Sequence, residues 1–372
     1  MGRVQTNLAA VRKRRGVGAA ELAKKVGVSR QTIYAIEAGS YLPNTEVTLQ
    51  LARHLEVTVE ELFSLPAERE QDSTTVTAEY LGRSRPGGGQ AVRVCRVGAK
   101  LVSVPADARP YHLPEADAVV AGSSARSQKI ELCLFSEEET TRNKIVLAGC
   151  DPATSLLARL VERLSGVEIV HAPASSQLAL DWLKEGKVHV AGSHLQDPDG
   201  AEFNLPLIRR QFPNKDMAVI TFACWEEGFV VARGNPKNIR KIIDLNRKNV
   251  AIMNREAGSG SRGLLDSLLR SAGIVPKSVR GYERVAYGHL SAAHAVLVGV
   301  ADCCIATRSA AQTFGLDFVP LRSEQYDFVL HRDTLSIAAV EALFDALQRS
   351  TLRRKLETLA GYDTSQTGVI RA

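Results

Sequence analysis

The first 65 residues have apolar side chains at intervals of three and four, separated by charged residues. This spacing places the apolar side chains on one face of each helix, and it predicts about five short helices in residues 1–65. The positions expected to form their core are Leu8, Val11, Leu22, Val26, Val28, Ile33, Ile36, Leu49, Leu51, Leu55, Val57 and Leu62.

Within this segment, the stretch AAELAKKVGVSRQTIYAIEAGSYLP predicts two helices that cross at a short turn. Gly27 suits the tight turn, and Ser29 can cap the second helix. Ile33 is expected to face the first helix, while Gly39 followed by Pro43 can end the second. The spacing therefore predicts a helix-turn-helix arrangement.

Basic residues are concentrated at the same end of the chain. The whole sequence carries a formal net charge of +6, whereas residues 1–30 contain eight Lys or Arg and one acidic residue, Glu21. A helix-turn-helix with this excess of positive charge favours nucleic acid as its partner. A helical bundle that docks only onto protein is the alternative.

This segment resembles the helix-turn-helix domain of the Xre/lambda-repressor-like family over about sixty residues, through VTVEELF. The resemblance implies that the helix from Ser29 to Glu37 enters the major groove of double-stranded DNA. A homodimer is expected, because a single small helix-turn-helix rarely gives enough specificity. The family usually begins the preceding helix with Ser-Gln, whereas this chain has Gly18-Ala19, so we expect residues 12–15 to supply more of the affinity. The predicted DNA contacts are Arg12, Arg14, Arg15, Ser29, Arg30, Gln31, Thr32, Tyr34 and Asn44.

The pattern changes twice in the next eighty residues. Residues 66–75, PAEREQDSTT, are polar and begin with proline, which is typical of an interdomain linker. In residues 76–144, AVRVCRVGAKLVSVP predicts a hairpin around Gly98, and ADAVVAG and KIELCLF predict further strands. The last part, SEEETTRNK at 136–144, predicts a second polar connector. We expect a small β-rich module that connects or positions the other domains.

From Ile145 to the end of the chain, short apolar strands alternate with amphipathic helices. The expected strands are IVLAG, VEIV, VHVAG, MAVITF, FVVA, VAIM and CCIA. The alternation predicts a doubly wound α/β architecture for residues 145–372. The length of this region suits two lobes.

Two segments of this region, IVLAGCDPATSLLARLVERL and VAIMNREAGSGSRGLLDSLL, both predict a strand, a polar loop and a helix. Open α/β sheets bind ligands beyond the carboxyl ends of their strands, where a helix N-terminus offers unpaired N–H groups. Two such loops, about one hundred residues apart, suit two lobes facing a cleft. The buried stripes expected on the two helices are Leu156, Leu157, Leu160 and Val161, and Leu264, Leu265, Leu268 and Leu269.

The loop sequence GSGSRG lacks the lysine of a Walker loop, so nucleotide hydrolysis is not expected, and it matches a dinucleotide fingerprint only weakly. Its N–H groups, its hydroxyls and Arg262 predict a site for an anion with several oxygens. Alternatively, the glycines serve only a tight turn, and Asp151 and Thr154 cap a helix. The predicted ligand-binding residues are Cys150, Asp151, Thr154, Ser155, Ser193, His194, Ser259, Gly260, Ser261, Arg262 and His289.

The six cysteines show neither C-x-x-C spacing nor a pairing pattern, which predicts reduced thiols. We predict no metal site, because His and Cys have no ligand-like spacing; His289 and His294, for example, do not share a helix face. The chain has no run of eighteen apolar residues and no apolar signal core at its polar, basic N-terminus. A cytoplasmic location is therefore expected.

A catalytic function is not predicted, because the sequence contains no G-x-S-x-G elbow, zinc motif or cofactor lysine motif. The alternative is a DNA-anchored α/β enzyme with Cys150, Ser193 or Ser261 as its nucleophile. Adjacent Ser193 and His194 point in opposite directions in an extended chain, which disfavours them as a catalytic pair.

Residues 145–370 resemble the periplasmic-binding-protein-like domain of cytoplasmic bacterial regulators, through LAGCDPATSLL, VAGSHL, EEGFVVARGNPKNI, NREAGSGSRGLLD, GLDFVPL, YDFVL and GYDTSQTG. The resemblance implies a two-lobed (type II) fold with a ligand between the lobes and crossovers near FVVARGNP and PLRSEQYDF. Relatives of that domain are described as molybdate- or tungstate-binding.

The sequence as a whole predicts a one-component bacterial transcriptional regulator without a covalent cofactor. Its small effector is expected to be an oxyanion such as molybdate or tungstate. A small organic anion or metabolite is the alternative effector, and a cleft that serves only protein contact is a further alternative.

Overall fold

The structure is a computed structural model that describes residues 4–64, 75–106, 113–124, 129–140, 143–197, 202–213, 215–358 and 361–372. The chain divides into two compact units, residues 1–73 and 74–372. The predicted linker 66–75 lies outside the described residues except for Thr75. No helix of the described ranges is both long enough and apolar enough to cross a membrane.

The described part of the first unit, residues 4–64, is a bundle of five helices, as predicted. The helices are α1 (Leu8–Arg14), α2 (Ala19–Val26), α3 (Arg30–Glu37), α4 (Thr45–Leu55) and α5 (Val59–Leu62). Gly27 ends α2 in the left-handed conformation, with φ of 72°, and the Ser29 hydroxyl caps α3. The predicted core is buried or half-buried except at Leu49, which is 57% exposed because it faces away from the bundle.

A short strand pair joins the two ends of this unit and was not predicted. Strand β1 (Gln5–Thr6) pairs antiparallel with β2 (Phe63–Ser64). Two-residue strands are too short to produce a period-two pattern, so the sequence gives no signal for them.

The second unit begins with a closed barrel formed by β3 (Thr75–Tyr80), β4 (Ala91–Val97), β5 (Lys100–Pro105), β6 (Ala118–Ser123) and β7 (Lys129–Leu134). The predicted hairpin around Gly98 is β4 and β5. Closure of the sheet was not predicted, because β3 was not recognised as a strand. The barrel interior is filled by small apolar side chains, among them Val92, Val94, Val120, Ile130 and Leu132.

The barrel packs against the α/β region that follows it. Cys95 and Val102 of the barrel belong to one apolar cluster with Val170 and Leu180 of that region. The segment 136–144 is also more than the polar connector expected: Lys144 is buried, and its Nζ lies 2.7 Å from Glu139 and 2.9 Å from Asp117. The barrel is therefore fixed to the domain that follows.

In the part of the chain that the structure describes, the α/β region is built on a nine-stranded sheet. Its strands are β8 (Lys144–Gly149), β9 (Glu168–Pro173), β10 (Val190–Ser193), β11 (Met217–Val231), β12 (Ile252–Arg255), β13 (Val285–Ala286), β14 (Cys303–Thr307), β15 (Asp317–His331) and β16 (Tyr362–Asp363). The order is β13-β12-β14-β11-β15-β10-β8-β9, and β16 pairs with β11.

Within the described residues, eight α-helices cover this sheet. They are α6 (Thr154–Ser165), α7 (Ser176–Lys184), α8 (Leu205–Gln211), α9 (Gly260–Ser271), α10 (His289–Leu297), α11 (Arg308–Thr313), α12 (Ala338–Leu347) and α13 (Ser350–Glu357). Helices on both faces of a mixed sheet form the predicted α/β architecture.

Two long antiparallel strands, β11 and β15, run through the whole region and divide it into two lobes. MAVITF and FVVA, predicted as two strands, are the two halves of β11. Strand β11 leaves the core of the first lobe after Trp225 and enters that of the second at Phe229, just before the predicted crossover at 229–236. Strand β15 crosses between Leu321 and Tyr326, within the predicted 320–328.

The first lobe contains β8 to β10, and the second contains β12 to β14. The predicted strand–loop–helix units lie one in each lobe. The first loop, residues 150–153, joins β8 to α6, and the second loop, residues 256–259, joins β12 to α9. Both helices bury the predicted stripes, with Leu156 and Leu268 half-buried.

The barrel also contacts the second lobe. The guanidinium of Arg83, which follows β3, lies over the ring of Tyr287, 4.2 Å from its centroid. Tyr287 lies two residues before the start of α10.

Candidate functional site

The candidate DNA-binding surface is the outer face of α3. Arg30, Gln31 and Tyr34 are exposed there and Thr32 is half-buried, while Ile33 and Ile36 face the core. The Arg30 guanidinium donates to the Tyr34 hydroxyl at 2.8 Å, so these two side chains form one surface. Arg and Gln at such positions can form paired hydrogen bonds with base edges.

The other residues predicted to contact DNA lie outside the exposed face of α3, and most of them form hydrogen bonds within the first unit. The Arg12 side chain is only 11% exposed, because its guanidinium lies 2.6 Å from Glu37 and donates to the Val17 carbonyl, so it has a structural role, and its DNA contact stays a prediction. Arg14 is largely exposed. Arg15 donates to the Glu56 carbonyl at 2.8 Å. The Asn44 side chain caps α4, as Ser29 caps α3.

The second unit contains a buried group of polar side chains where the two lobes meet. We call this group the interlobe cluster. Cys150 follows β8, His194 follows β10, Ser261 lies in the first turn of α9 and His289 begins α10, while the remaining members come from strands. The members of the interlobe cluster are Cys150, His194, Glu227, Arg255, Ser261, His289 and Glu324.

Cys150 lies between two imidazoles, one from each lobe. Its Sγ is 3.4 Å from His194 Nε2 and 3.7 Å from His289 Nε2. Both histidines are fully buried, and His194 also packs edge-on against Trp225. The structure thus brings together three of the predicted ligand-binding residues, although they lie far apart in the sequence.

Each imidazole faces a carboxylate from a strand that crosses between the lobes. His194 Nδ1 is 2.6 Å from Glu324 of β15, and His289 Nδ1 is 3.8 Å from Glu227 of β11. Burial, together with the charge of Glu324, raises the pKa of Glu227 to about 8, so this carboxyl is protonated at neutral pH. The Ser261 hydroxyl donates to Glu227.

The two imidazoles have opposite pKa shifts. Burial opposes the charged form of His194, but Cys150 and Glu227 outweigh it and raise the pKa above its ordinary value. Burial lowers the pKa of His289 well below its ordinary value, and the positive charge of Arg255 lowers it further. His289 is therefore neutral over the ordinary pH range.

Arg255 is a fully buried guanidinium at the end of β12. It lies 2.9 Å from Glu256, and its Nη1 donates to the Ser261 hydroxyl at 3.4 Å. Burial opposes the charged form, yet the hydrogen bond with Glu256 raises the pKa of Arg255 overall. A charged donor thus lies beside the N-terminus of α9.

The glycines of GSGSRG allow the two lobes to approach each other. The Gly258 carbonyl accepts from the Gln177 N–H of the first lobe at 3.1 Å, and Gly258 has a φ of +79°. A Cβ on Gly260 would lie 2.4 Å from His194 Nδ1 and 2.7 Å from the His194 carbonyl oxygen. Glycine is required here for contact between lobes as well as for the turn.

Several predicted ligand-binding residues have roles within their own loops. The Asp151 carboxylate accepts from the Ala153 N–H at 2.6 Å and from the Tyr362 hydroxyl at 3.0 Å, so it stabilises the turn before α6. Burial raises the pKa of Asp151 to about 7. The Thr154 hydroxyl donates to the Asp151 carbonyl. Ser155 is exposed on α6.

Predicted ligand-binding residues in and after the second loop also stabilise the local structure. Ser259 caps α9 by accepting from the Arg262 N–H at 3.2 Å. The Arg262 side chain stacks over Tyr282, 4.1 Å from the ring centroid, and pairs with Asp266. Arg262 is thus not brought into the interlobe cluster. Ser193 is fully buried, and its hydroxyl has no hydrogen-bond partner among the described residues.

Sequence reasoning missed three members of the cluster: Glu227, Arg255 and Glu324. Arg255 ends an apolar strand, where a charged side chain is unusual, and this position was a usable signal. Glu227 and Glu324 lie in strands whose alternation suggests that acidic residues face solvent. Only the crossing of β11 and β15 between the lobes buries them.

Residues 157–348 match the PBP superfamily domain, and residues 6–65 match a helix-turn-helix domain. Protein YvgK of Bacillus subtilis (strain 168), which is uncharacterized, is 31% identical over 233 residues, covering 63% of this chain and 75% of that protein. An uncharacterized HTH-type transcriptional regulator of Methanocaldococcus jannaschii is 49% identical over 43 residues, covering 12% of this chain and 65% of that protein.

Among solved structures, the sulfate-binding protein SubI of Mycobacterium tuberculosis H37Rv superimposes with a TM-score of 0.45 at 15% identity. The match covers 59% of this chain and 86% of that chain. A match at this level carries no information about the ligand.

Proposed function

The chain belongs to the PBP superfamily and carries a helix-turn-helix DNA-binding domain, and on this basis we propose that it is a one-component transcriptional regulator. A small ligand enters between the lobes and alters binding of the first unit to operator DNA. The observation that carries this proposal is the interlobe cluster, because its polar side chains come from both lobes and are buried only where the lobes meet.

For the DNA-binding unit, we propose that α3 enters the major groove with Arg30 and Gln31 toward the bases. One helix of eight residues reads few base pairs, so two copies of the chain are needed for a specific operator. The half-sites of such a homodimer lie about 34 Å apart, one turn of the double helix.

For the ligand, we propose a small oxyanion, with molybdate and tungstate as first candidates. The buried guanidinium of Arg255, the Ser261 hydroxyl and the N-termini of α9 and α10 are the donors that support an anion. A small organic anion would use the same donors, so both classes belong in one screen.

Ligand binding changes the affinity for DNA only if the ligand prefers one arrangement of the lobes. A coupling free energy of about 1–3 kcal/mol is typical of such switches. Strands β11 and β15 are the continuous connections that bend when the lobes move, because each passes from one apolar core to the other.

The test is a thermal-stability screen of the full chain with molybdate, tungstate, sulfate, phosphate and small organic anions. A ligand at about 100 times its Kd adds about 2.7 kcal/mol to the free energy of unfolding, which raises the melting temperature. Ser261→Ala should weaken this shift, whereas Ser267→Ala, on the exposed side of the same helix, should leave it unchanged.

The companion measurement is a footprint on operator DNA with and without the stabilising anion. Gln31→Ala should lower the specific affinity, at a cost of about 1–3 kcal/mol, and keep the full thermal shift. A screen without any shift would refute the anion proposal. A footprint that covers one half-site at saturation would refute the dimer.

A further inference from the structure

We propose that Cys150, His194 and His289 bind one transition-metal ion, with Zn²⁺ the best match to their donor atoms. Sulfur and imidazole nitrogen together select zinc or a similar borderline ion over magnesium or calcium. The metal site rests on the geometry of the three side chains, and its part in switching rests on the proposed function.

The distances fit a tetrahedral ion. Zn–S bonds of about 2.3 Å and Zn–N bonds of about 2.0–2.1 Å at tetrahedral angles place sulfur and nitrogen about 3.5 Å apart. The two sulfur–nitrogen distances in the structure are 3.4 Å and 3.7 Å. All three donor atoms lie within 4.8 Å of one another, so a single ion can reach each of them.

The surroundings of His194 are those of a metal ligand. A metal-binding histidine usually directs its second ring nitrogen at a carboxylate, which orients the ring and leaves the other nitrogen free for the ion. Glu324 takes this position for His194 at 2.6 Å, whereas Glu227 lies 3.8 Å from His289 Nδ1, on the same side of that ring but beyond hydrogen-bond distance. Both Nε2 atoms then point at Cys150.

Neither a nucleophilic thiol nor simple packing accounts for the whole cluster. A nucleophilic thiol needs one base, which His194 with Glu324 would provide, but it does not need a second buried imidazole. Packing alone gives no reason for two buried imidazoles from different lobes to direct their Nε2 atoms at one sulfur. A metal ion accounts for all three side chains together.

The carboxyl groups around the cluster already have partners within the protein. Glu256 pairs with Arg255, Glu324 pairs with Arg322, and Glu227 accepts from the Ser261 hydroxyl. A divalent cation at Cys150 would add to the positive charge of Arg255 that faces an entering oxyanion. A site with three protein ligands also keeps a fourth position for water or a ligand.

The ligands come from both lobes, so the ion would stabilise their contact. Cys150 and His194 belong to the first lobe, and His289 belongs to the second. An ion that binds all three stabilises the closed arrangement over any arrangement that separates them. The ion is therefore either bound permanently in the sensor domain or is itself the effector that the domain detects.

The experiment uses the full chain, freed of metal with a chelator and titrated with Co²⁺, and then with Zn²⁺ as competitor. We expect one Co²⁺ per chain, with the charge-transfer absorption of a cobalt–thiolate bond, displaced by one Zn²⁺. Cys150→Ser should abolish this absorption and His289→Gln should weaken it strongly. Glu324→Gln should lower the affinity about 10–100-fold.

The chain offers matched controls for both ligand types. Cys224 is a half-buried cysteine outside the cluster, and His294 lies on α10 with His289. Cys224→Ser and His294→Gln should bind Co²⁺ as the unmodified chain does. If a ligand variant fails to fold, alkylation of the unmodified chain gives the answer: Zn²⁺ should protect Cys150 but not Cys133 or Cys224.

Failure of the metal site and failure of the proposed function can be distinguished. Absence of the cobalt–thiolate absorption, or equal alkylation of Cys150 with and without Zn²⁺, overturns the metal site. An anion-dependent thermal shift in the same metal-free protein would then leave the regulator proposal standing. Binding of Co²⁺ at Cys150 without any anion response would support the metal site and refute the oxyanion.

Discussion

The first loop, residues 150–153, and the second loop, residues 256–259, occupy equivalent positions in the two lobes but are built differently. In the first, a buried carboxylate, Asp151, accepts hydrogen bonds from its own turn and from Tyr362, and Cys150 is left facing the other lobe. In the second, Ser259 caps the helix, and Gly258 and Gly260 bring the backbone against the first lobe.

In both loops, the residues that stabilise the loop conformation differ from the residues that face the cleft between the lobes. The first loop is held by a side chain and contributes a sulfur. The second is held by its cap and by backbone contact, and the donors beside it are Arg255 and Ser261. A serine or aspartate at a helix start is therefore weak support for a ligand contact, since capping uses the same residues.

The largest expected effect is on the free energy of unfolding, and it should differ between variants of Arg255 and Arg262, two arginines on either side of the second loop. Arg255→Met leaves Glu256 as an unpaired buried charge, so we expect a loss of about 3–5 kcal/mol in the free energy of unfolding, measured by denaturant titration. Arg262→Ala removes a partly exposed contact with Asp266 and should cost about 1 kcal/mol or less.

A double variant tests whether Arg255 does more than stabilise. Arg255→Met with Glu256→Gln removes both charges and should recover most of the stability, but it should not recover the anion-dependent thermal shift. A loss of stability on Arg262→Ala as large as that on Arg255→Met would contradict the assignment of roles in the second loop.

Acid should destabilise the folded chain through His189, which accepts a hydrogen bond from β8, the strand that precedes the first loop. The Val146 N–H of β8 donates to His189 Nδ1 at 3.0 Å, and burial lowers the pKa of His189 from 6.5 to about 4. Because the folded-state pKa is lowered, the stability is complete above pH 6.5 and is lost as the pH falls toward 4, by roughly 3 kcal/mol.

His189→Asn keeps an acceptor oxygen near the Nδ1 position and does not titrate. Denaturant titrations between pH 7 and pH 4 should therefore show a smaller loss of stability in this variant than in the unmodified chain. An identical acid-dependent loss in both proteins would show that His189 does not stabilise the first strand in the way described.

The smallest effect tests the close approach of the second loop. Gly260→Ala places a Cβ against the His194 backbone, so the lobes must separate or shift, at a cost of about 1–3 kcal/mol. Gly263→Ala, in the same helix with no atom within 4 Å, should be neutral or stabilise the chain by up to about 1 kcal/mol. Small-angle scattering should detect a larger radius of gyration only for Gly260→Ala.

The periodicity of the sequence predicts much of the fold. The helix-turn-helix, the hairpin at Gly98 and the apolar stripes on α6 and α9 depend on local spacing, and the structure confirms them. Closure of the barrel and the continuity of β11 depend on pairing between distant segments, for which local spacing gives no signal.

The candidate site depends even more than the fold on contacts between segments that are distant in the sequence. Cys150 is 44 residues from His194 and 139 residues from His289, so no motif contains them together. The expectation that ligand residues follow the carboxyl ends of strands did place these three residues in one candidate set. That their side chains converge on one point, and that Arg262 does not join them, depends on packing between the lobes.

The contact between Arg83 and Tyr287 links the barrel to both lobes. The barrel packs against the first lobe, and it contacts the second lobe two residues before α10. If the two lobes separate, the contact between Arg83 and Tyr287 must break.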